Sequence, residues 1–155
     1  MKWKIPPKIK IYEALGTLAD GRIEVYDDSA KVYSSSGNKF YTVTYDPNAN
    51  AIMTNDNGSY WQGYLGYPAI AYLMSVGKIK FDKKYSTALK GIAWKDVNTK
   101  FKNDFEKTIV YVNELLASSD IEVEAFEKEI EEILKQIKKL NLSLLGQKNK
   151  PPVGY

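Results

Sequence analysis

The chain has 155 residues, with 22 basic and 19 acidic side chains, a formal net charge of +3, and neither cysteine nor histidine. The missing cysteines exclude a disulfide framework, and with histidine also absent the commonest metal ligands and the commonest acid–base side chain are gone. No apolar run follows Met1 and none reaches the roughly 18 residues of a membrane span, so we expect a cytoplasmic protein without a signal peptide.

The first half predicts a helix and a small antiparallel sheet. A proline-broken, extended arm at residues 1–8 leads into apolar residues at helical spacing, which predict a helix over 9–19. The pair Asp20-Gly21 ends that helix, since glycine accepts the left-handed cap. Alternating apolar residues separated by turn residues then predict a meander of three or four strands, expected at residues 22–26, 30–35, 39–45 and 51–54.

The period of the apolar residues becomes helical in the second half. Residues 63–77 carry an apolar stripe that Gly77 ends, and residues 81–92 predict a further short helix. Over residues 96–117 the apolar positions lie alternately four and three apart, which predicts one long helix.

A last helix is expected after a short loop. The sequence Ser119-Asp120-Ile121-Glu122 has the form of a capping box, and the apolar stripe that follows it extends to Leu144. Two long helices joined by a short loop form an αα-hairpin, in which each helix covers the other and the sheet. The alternative is that the last helix pairs with another chain, as a protein partner or in a homo-oligomer, through its apolar side chains Phe126, Ile130, Ile133, Ile137 and Leu140.

These elements predict an α+β fold in a single domain over residues 1–155. A small antiparallel meander packs against helices within residues 14–77. A helical part over residues 78–146 ends in the αα-hairpin. Residues 147–155 contain Lys, Pro and Gly and predict a flexible tail.

Basic residues concentrate in the middle of the chain, where residues 61–110 contain nine lysines and four acidic residues. Such an excess indicates either solvated helix faces or a face that binds a polyanion. A nucleic-acid or partner site is therefore expected among the lysines and the aromatic cluster just before them: Lys78, Lys80, Lys83, Lys84, Lys90, Lys95, Tyr60, Trp61 and Tyr64.

Aromatic residues also alternate along the predicted strands. Tyr41, Val43 and Tyr45 share one strand face with Lys39, and Tyr33 shares a face of the neighbouring strand with lysine and serine. Aromatic rings beside lysines on an open sheet can stack nucleic-acid bases. The same rings can form the core under a layer of helices, which is the interpretation favoured here because several helices need a sheet face to cover.

No catalytic motif is found. There is no cysteine nucleophile, no histidine and no Gly-x-Ser-x-Gly elbow. We therefore expect no catalytic residue, no cofactor and no bound metal. An enzyme with a carboxylate or tyrosine site remains a third hypothesis, since distant segments can bring carboxylates together. A deep cleft lined by converging polar groups, Asp or Glu among them, would favour it.

The first half resembles the SWIM-type zinc finger, in which a helix and a Gly-Arg-Val segment precede a hairpin, two cysteines, and a Gly-x-Pro-Cys-x-His that opens a helix. The resemblance covers residues 14–74. It is carried by Ala14-Leu15-Gly16, Asp20-Gly21-Arg22-Ile23, Ala30-Lys31-Val32-Tyr33-Ser34-Ser35-Ser36-Gly37, Tyr41-Thr42-Val43, Tyr60-Trp61 and Gly66-Tyr67-Pro68. All four zinc ligands are replaced, and the degenerate ligand positions are Asn55, Asn57, Ala69 and Ala71.

The resemblance implies a function, since SWIM modules are associated with DNA binding and with protein contacts in recombination and transposition complexes. It implies a metal-free, non-catalytic binding module that acts as an adaptor in a nucleic-acid-associated complex. The alternative is a protein-interaction module that acts through the C-terminal helices and binds no nucleic acid. The whole chain also resembles small proteins of thermophilic archaea, which fits its abundant Lys, Glu, Ile and Tyr.

Overall fold

Six α-helices and five strands make up most of the described part of the chain, residues 1–153 of the computed structural model. The predicted α+β class is confirmed. In chain order the elements are α1 (Lys8–Ala19), β1 (Ile23–Val25), β2 (Ser29–Tyr33), β3 (Phe40–Asp46), β4 (Ala51–Thr54), a π-helical turn (Gly58–Gln62), α2 (Tyr67–Ser75), α3 (Lys83–Ala88), α4 (Trp94–Lys100), α5 (Phe105–Ser118), α6 (Val123–Leu140) and β5 (Ser143–Leu144).

The five strands form one sheet in the order β1-β2-β3-β4-β5. The first four are an antiparallel meander, as predicted, while β5 pairs with β4 in parallel. The prediction that the apolar helical stripe extends to Leu144 is wrong, because α6 ends at Leu140 and Leu144 belongs to β5. Asn141 takes a left-handed conformation with φ 49° and caps α6, so the chain turns back and Leu142 is buried beside the sheet edge.

The main core joins the sheet to α2, and α2 in turn packs against α1. Ala30 and Val32 of β2 and the alternate residues Tyr41, Val43 and Tyr45 of β3 are buried on one sheet face. The core interpretation of Tyr41 and Tyr45 is therefore confirmed. The opposite face of these strands is more open, with Phe40 41% exposed beside the half-buried Tyr33.

The N-terminal arm is extended, as predicted, and it is anchored. Trp3 is buried, and its indole Nε1 donates to the backbone oxygen of Ile52 at 2.8 Å. The arm also forms isolated bridges to Tyr64 and Ser143. It therefore closes the β4 side of the sheet.

The predicted single helix over residues 96–117 is wrong, because the chain forms α4 and α5 with a break between them. Lys102 and Asn103 have φ values of 54° and 59°, which no helix tolerates. Asp104 then caps α5 by accepting from the backbone N–H of Lys107. The break separates α4 from α5, although Phe101 just after α4 still packs against Tyr111 of α5.

The predicted capping box at residues 119–122 is also wrong. Asp120 has φ 61° and Glu122 occupies the N-cap position without a side-chain hydrogen bond. The turn takes the left-handed conformation that aspartate tolerates, which moves the start of α6 to Val123.

Helices α5 and α6 form the predicted αα-hairpin, and α6 also packs on α1. The apolar stripe of α6 faces inward, with Phe126, Ile130, Ile133 and Ile137 buried and Leu140 packed beside them. These five side chains belong to the core of their own chain. Any partner that used them would first have to open that core.

The predicted tail over residues 147–155 extends past the described part of the chain. Within that part, Lys148 Nζ donates to the backbone oxygen of Tyr60 at 3.3 Å, so the tail is attached at this point. No helix among residues 1–153 is long and apolar enough to cross a membrane.

Candidate functional site

A polar cleft of about 240 Å³ opens beside α1, at the end of the sheet. Its walls come from five parts of the chain: α1, the β2–β3 hairpin, the segment before the π-helical turn, the start of α2, and α4. The lining residues are Lys10, Glu13, Arg22, Ser34, Ser35, Lys39, Tyr41, Asp56, Asn57, Gly58, Tyr67, Trp94, Lys95, Asn98, Thr99 and Asn103. Most of these residues are polar, unlike the apolar residues that form the core.

The α1 wall holds an ion pair. Lys10 and Glu13 lie three residues apart, so their side chains share one helix face, and Lys10 Nζ lies 3.0 Å from Glu13 Oε2. Burial by itself lowers the pKa of the Lys10 ammonium, but the charges of Glu13, Tyr64 and Asp56 together raise it above its ordinary value. Both groups of the ion pair are therefore held in place inside the protein.

The α4 wall holds two polar atoms that lack a hydrogen-bond partner in the described chain. They are the indole Nε1 of Trp94 and the side-chain oxygen Oδ1 of Asn98, and both atoms are buried. The other end of the Asn98 amide is engaged, since Nδ2 donates to Glu13 Oε1 at 2.7 Å. A buried polar group without a partner costs about 1–3 kcal/mol, so these two atoms are unusual.

The position of Trp94 explains a glycine in the middle of α1. A Cβ atom at Gly16 would lie 2.7 Å from Trp94 Nε1, closer than side-chain atoms normally approach. Glycine costs about 1 kcal/mol relative to alanine inside a helix, and here it makes room for the indole. Helix α1 is thus shaped to receive α4.

The segment before α2 contributes a buried carboxylate. Asp56 accepts hydrogen bonds from Thr54 Oγ1 at 2.7 Å, from Ser59 Oγ at 2.8 Å and from Ser59 N–H at 3.1 Å. Burial raises the pKa of the Asp56 carboxyl more than these hydrogen bonds and Lys10 lower it. Gly66 packs directly against this carboxylate, in a space that no side chain could enter.

Two tyrosines and an arginine complete the cleft. Tyr67 meets Tyr41 edge to face, with ring centroids 6.1 Å apart. Burial, with the nearby Tyr41 and Glu13, raises the pKa of the Tyr67 phenol well above its ordinary value, so the hydroxyl keeps its proton at neutral pH. Arg22 is anchored by donating to the backbone oxygen of Tyr33 at 2.6 Å.

Six charged side chains line the cleft, and several of them are already paired: Lys10 with Glu13, and Arg22 with Asp20. Four basic side chains and two acidic ones line it: Lys10, Arg22, Lys39 and Lys95 against Glu13 and Asp56. The two carboxylates come from distant segments, as the enzyme hypothesis requires. Each of them already accepts hydrogen bonds or an ion pair from the protein.

Of the nine sequence-predicted site residues, the structure places Lys95 in the cleft wall, and Tyr64 lies behind it near Lys10 and Gly58. The other lysines are exposed on several elements outside the cleft: Lys78, Lys80, Lys83, Lys84 and Lys90. Trp61 is 66% exposed and packs edge to face on Tyr60.

The four degenerate zinc-ligand positions are also split between the cleft and other parts of the fold. Asn57 lines the cleft, and Asn55 accepts from the backbone N–H of Thr42 at 2.8 Å. Ala69 and Ala71 are fully buried in α2. Among residues 1–153, no group of three or more His, Cys, Asp or Glu side chains could hold a metal ion.

Glu13, Trp94 and Asn98 were missed by the sequence analysis. A signal existed for Glu13, because apolar residues surround it on nearly every face of α1, and such a helix is buried all round. A charged residue inside it needs a partner. No comparable signal existed for Trp94 and Asn98, since their position depends on the break after α4.

Comparison with known proteins identifies a family but no activity. The sequence model of one family, described as Uncharacterised conserved protein UCP014422, matches residues 3–143. No curated protein and no solved structure matches the chain. The matched range contains every residue that lines the cleft.

Proposed function

The chain belongs to the family Uncharacterised conserved protein UCP014422, and from the cleft that lies within the matched range we propose that it binds a small polar anion, without catalysis. The single observation that carries this proposal is the pair of buried, unpartnered polar atoms on α4, Trp94 Nε1 and Asn98 Oδ1. Trp94 and Asn98 both line a cleft whose charged side chains are mostly basic.

The unpartnered atoms support binding because proteins rarely leave buried polar groups without a hydrogen bond. Where they do, an ordered water, an ion or a ligand usually completes the bond. Here one donor and one acceptor lie in the same wall, on residues four apart in α4. A ligand that reaches both would recover the cost of burying them.

The volume and the charge of the cleft restrict the kind of ligand that it can hold. A volume of about 240 Å³ lies just below the usual range of small-molecule sites, which begins near 300 Å³. It suits a small metabolite and excludes a nucleic-acid strand or a folded partner. The excess of basic side chains favours a negative charge on that metabolite. A cytoplasmic location, where such metabolites are abundant, is part of this proposal.

Isothermal titration with a panel of small phosphates and carboxylates tests the proposal. Trp94→Phe keeps a ring in place and removes the N–H, so it should weaken binding of any cleft ligand at least tenfold. Trp61→Phe is the matched control, because Trp61 is exposed outside the cleft and its loss should leave affinity unchanged. Absence of binding by the whole panel, or equal affinities in both variants, would refute the proposal.

A nucleic-acid-associated role is the second candidate, favoured by the exposure of five lysines: Lys78, Lys80, Lys83, Lys84 and Lys90. Binding of this kind is electrostatic and should be strongest at about 50 mM salt. Replacing Lys83, Lys84 and Lys90 with glutamate should abolish it while the fold survives, since exposed lysines contribute little to stability. A gel-shift titration with DNA and RNA decides, and no shift of the wild type at low salt removes this candidate.

We also propose that the first half is a SWIM-like module that has lost its zinc. The order of α1, the hairpin and α2 supports this, as does the complete burial of Ala69 and Ala71 at two former ligand positions. Tight packing of α2 would then replace the metal. A strong chelator should leave the melting temperature unchanged, and a marked drop would contradict the proposal.

A further inference from the structure

We propose that the cleft selects an anion that also carries a hydroxyl or amino donor, and that Lys10 and Glu13 impose this requirement by fixing the orientation of the Asn98 amide. This inference rests on the proposed function. It makes Asn98 the residue that determines specificity, and it makes Lys10 and Glu13 positioning residues that need not contact the ligand.

The orientation of the amide follows from its partner. A carboxylate accepts hydrogen bonds and donates none, so only the NH₂ end of Asn98 can face Glu13 Oε1, at 2.7 Å. The oxygen Oδ1 must then occupy the opposite side, where it is buried without a partner. An asparagine that could rotate freely would present either end to a ligand, whereas this one presents only its acceptor.

The lock also depends on the position of the Glu13 carboxylate. Its second oxygen, Oε2, lies 3.0 Å from Lys10 Nζ, and the Glu13 side chain is only 4% exposed. Lys10, Glu13 and Asn98 therefore form a chain of contacts, in which Lys10 holds Glu13 in place and Glu13 determines which atom Asn98 offers.

The geometry of α4 sets the pattern that a ligand must match. Residues four apart on a helix are neighbours, with Cβ atoms about 6 Å apart, so Trp94 and Asn98 present a donor and an acceptor side by side. The complementary molecule has an oxyanion oxygen for the indole N–H and an O–H or N–H group for Asn98, separated by a short carbon skeleton. A simple anion without a donor would leave Oδ1 unpaired, as it is in the ligand-free protein, and would not gain that hydrogen bond.

Two matched pairs of probes test this requirement by isothermal titration. Glycerol 3-phosphate is compared with propyl phosphate, and glycerate with propionate, so that each pair differs in hydroxyl groups while the two pairs distinguish phosphate from carboxylate. In the wild type we expect the hydroxylated member of the bound pair to bind at least tenfold more tightly, because hydrogen bonds to buried groups discriminate strongly against analogues that lack them.

The variants test the assigned roles through the ratio of the two affinities. Asn98→Ala should bring this ratio to within about threefold of unity, as expected when the discriminating hydrogen bond is lost. Glu13→Gln should also reduce it, since an amide at position 13 accepts either end of Asn98. Asn113→Ala on α5 is the matched control, because Asn113 bonds to Tyr12 and Glu127 away from the cleft. Circular dichroism and melting temperature establish that each variant is folded.

The outcomes separate this inference from the proposed function. If a probe binds, Trp94→Phe weakens it and the wild type still shows no preference for the hydroxyl, the cleft is a site but the selection rule is wrong. A preference that survives in folded Asn98→Ala also overturns the inference. If neither pair binds while another member of the panel does, this inference alone fails. If nothing in the panel binds, the proposed function fails and this inference fails with it. Should Glu13→Gln not fold, the Asn98→Ala ratio alone decides.

Discussion

Helix α1 faces two interiors that differ in how completely their polar groups are satisfied. On one side Ile11 and Leu15 are buried in the apolar core, where α1 packs against α2. On the other, Lys10 and Glu13 face a cleft that contains two buried polar atoms without partners. Proteins tend to break local rules of satisfaction at functional sites and to obey them elsewhere. The contrast supports our proposal that the binding site lies in the cleft.

Two buried tryptophans show the same contrast through the same chemical group, the indole N–H. Trp3 is buried on the core side with its indole N–H bonded to Ile52, and Trp94 is buried in the cleft wall with its N–H unbonded. Two side chains of the same kind and similar burial thus differ only in whether the hydrogen bond is made. The substitutions below test how far the two regions differ.

The largest effect is expected at the junction of the two regions. Gly66 has φ −78°, which alanine tolerates, but a Cβ atom there would overlap the Asp56 carboxylate. Since Thr54 and Ser59 hold that carboxylate in place, Gly66→Ala should break their hydrogen bonds and cost about 3–5 kcal/mol. Urea unfolding of the variant measures this cost.

The control for this substitution is Gly77→Ala. Gly77 has φ 79° and no atom within 4 Å of an added Cβ, so only backbone strain of about 1 kcal/mol is expected. If both substitutions cost the same, the Asp56 network is not as rigid as the structure indicates.

A smaller effect is expected in the apolar core. Ala69 is fully buried in α2, and Ala69→Leu should overpack its surroundings and cost about 1–3 kcal/mol. Ala117→Leu on the exposed side of α5 is the control and should change stability by less than about 0.5 kcal/mol. A neutral result at Ala69 would mean that α2 does not dock as closely as described.

The core could be predicted from sequence better than the cleft, and the reason is physical. Alternation in β3 and the stripe in α6 are local patterns, and burial of Tyr45 and Ile133 follows from them directly. The cleft depends on contacts such as Glu13 to Asn98, which join residues 85 apart in the chain. No local pattern encodes such a pair.

The break between α4 and α5 shows how a periodic pattern can mislead. The apolar spacing continues through Phe101 and Phe105 as though the helix were unbroken, although Asn103-Asp104 is a combination that favours a left-handed turn and an N-cap. Turn chemistry prevailed over periodicity here. Because of this break, Trp94 and Asn98 lie against α1. A continuous helix beginning at residue 96 would not predict that position.

The two buried tryptophans are expected to differ in how much stability is lost when each is replaced by phenylalanine. Trp3→Phe removes a hydrogen bond of 2.8 Å to the Ile52 oxygen, which still accepts from the backbone N–H of Leu145, whereas Trp94→Phe removes a donor that has no partner. Both lose the same volume, so Trp3→Phe should cost about 1–2 kcal/mol more in the ligand-free protein. Thermal and urea unfolding of both variants provide the comparison. Equal costs would indicate that water already satisfies Trp94.

The smallest effect is a pH dependence of stability, and its sign differs between Asp56 in the cleft and Glu131 on the surface. Burial raises the pKa of the Asp56 carboxyl above 3.8, so the folded protein holds this proton at a pH where the unfolded chain has released it. The contribution of Asp56 to stability therefore falls as pH rises from about 3.8 through the raised value. On the surface, the ion pair with Lys8 lowers the pKa of Glu131, whose contribution is present above 4.5 and is lost as pH falls.

Melting temperatures between pH 3 and pH 8, roughly the range over which carboxyl groups titrate, separate the two contributions. Asp56→Asn removes the group whose stabilising effect declines with pH, so its melting temperature relative to the wild type should rise as pH increases. Glu131→Gln removes a group that acts in the opposite direction, so the same difference should become slightly more negative. Because Glu131 is fully exposed and screened by solvent, its effect should be the smaller one and should vanish at high salt. A difference for Asp56→Asn that does not change with pH would mean that the pKa of Asp56 is the same in the folded and the unfolded protein, and that the cleft is more hydrated than its burial indicates.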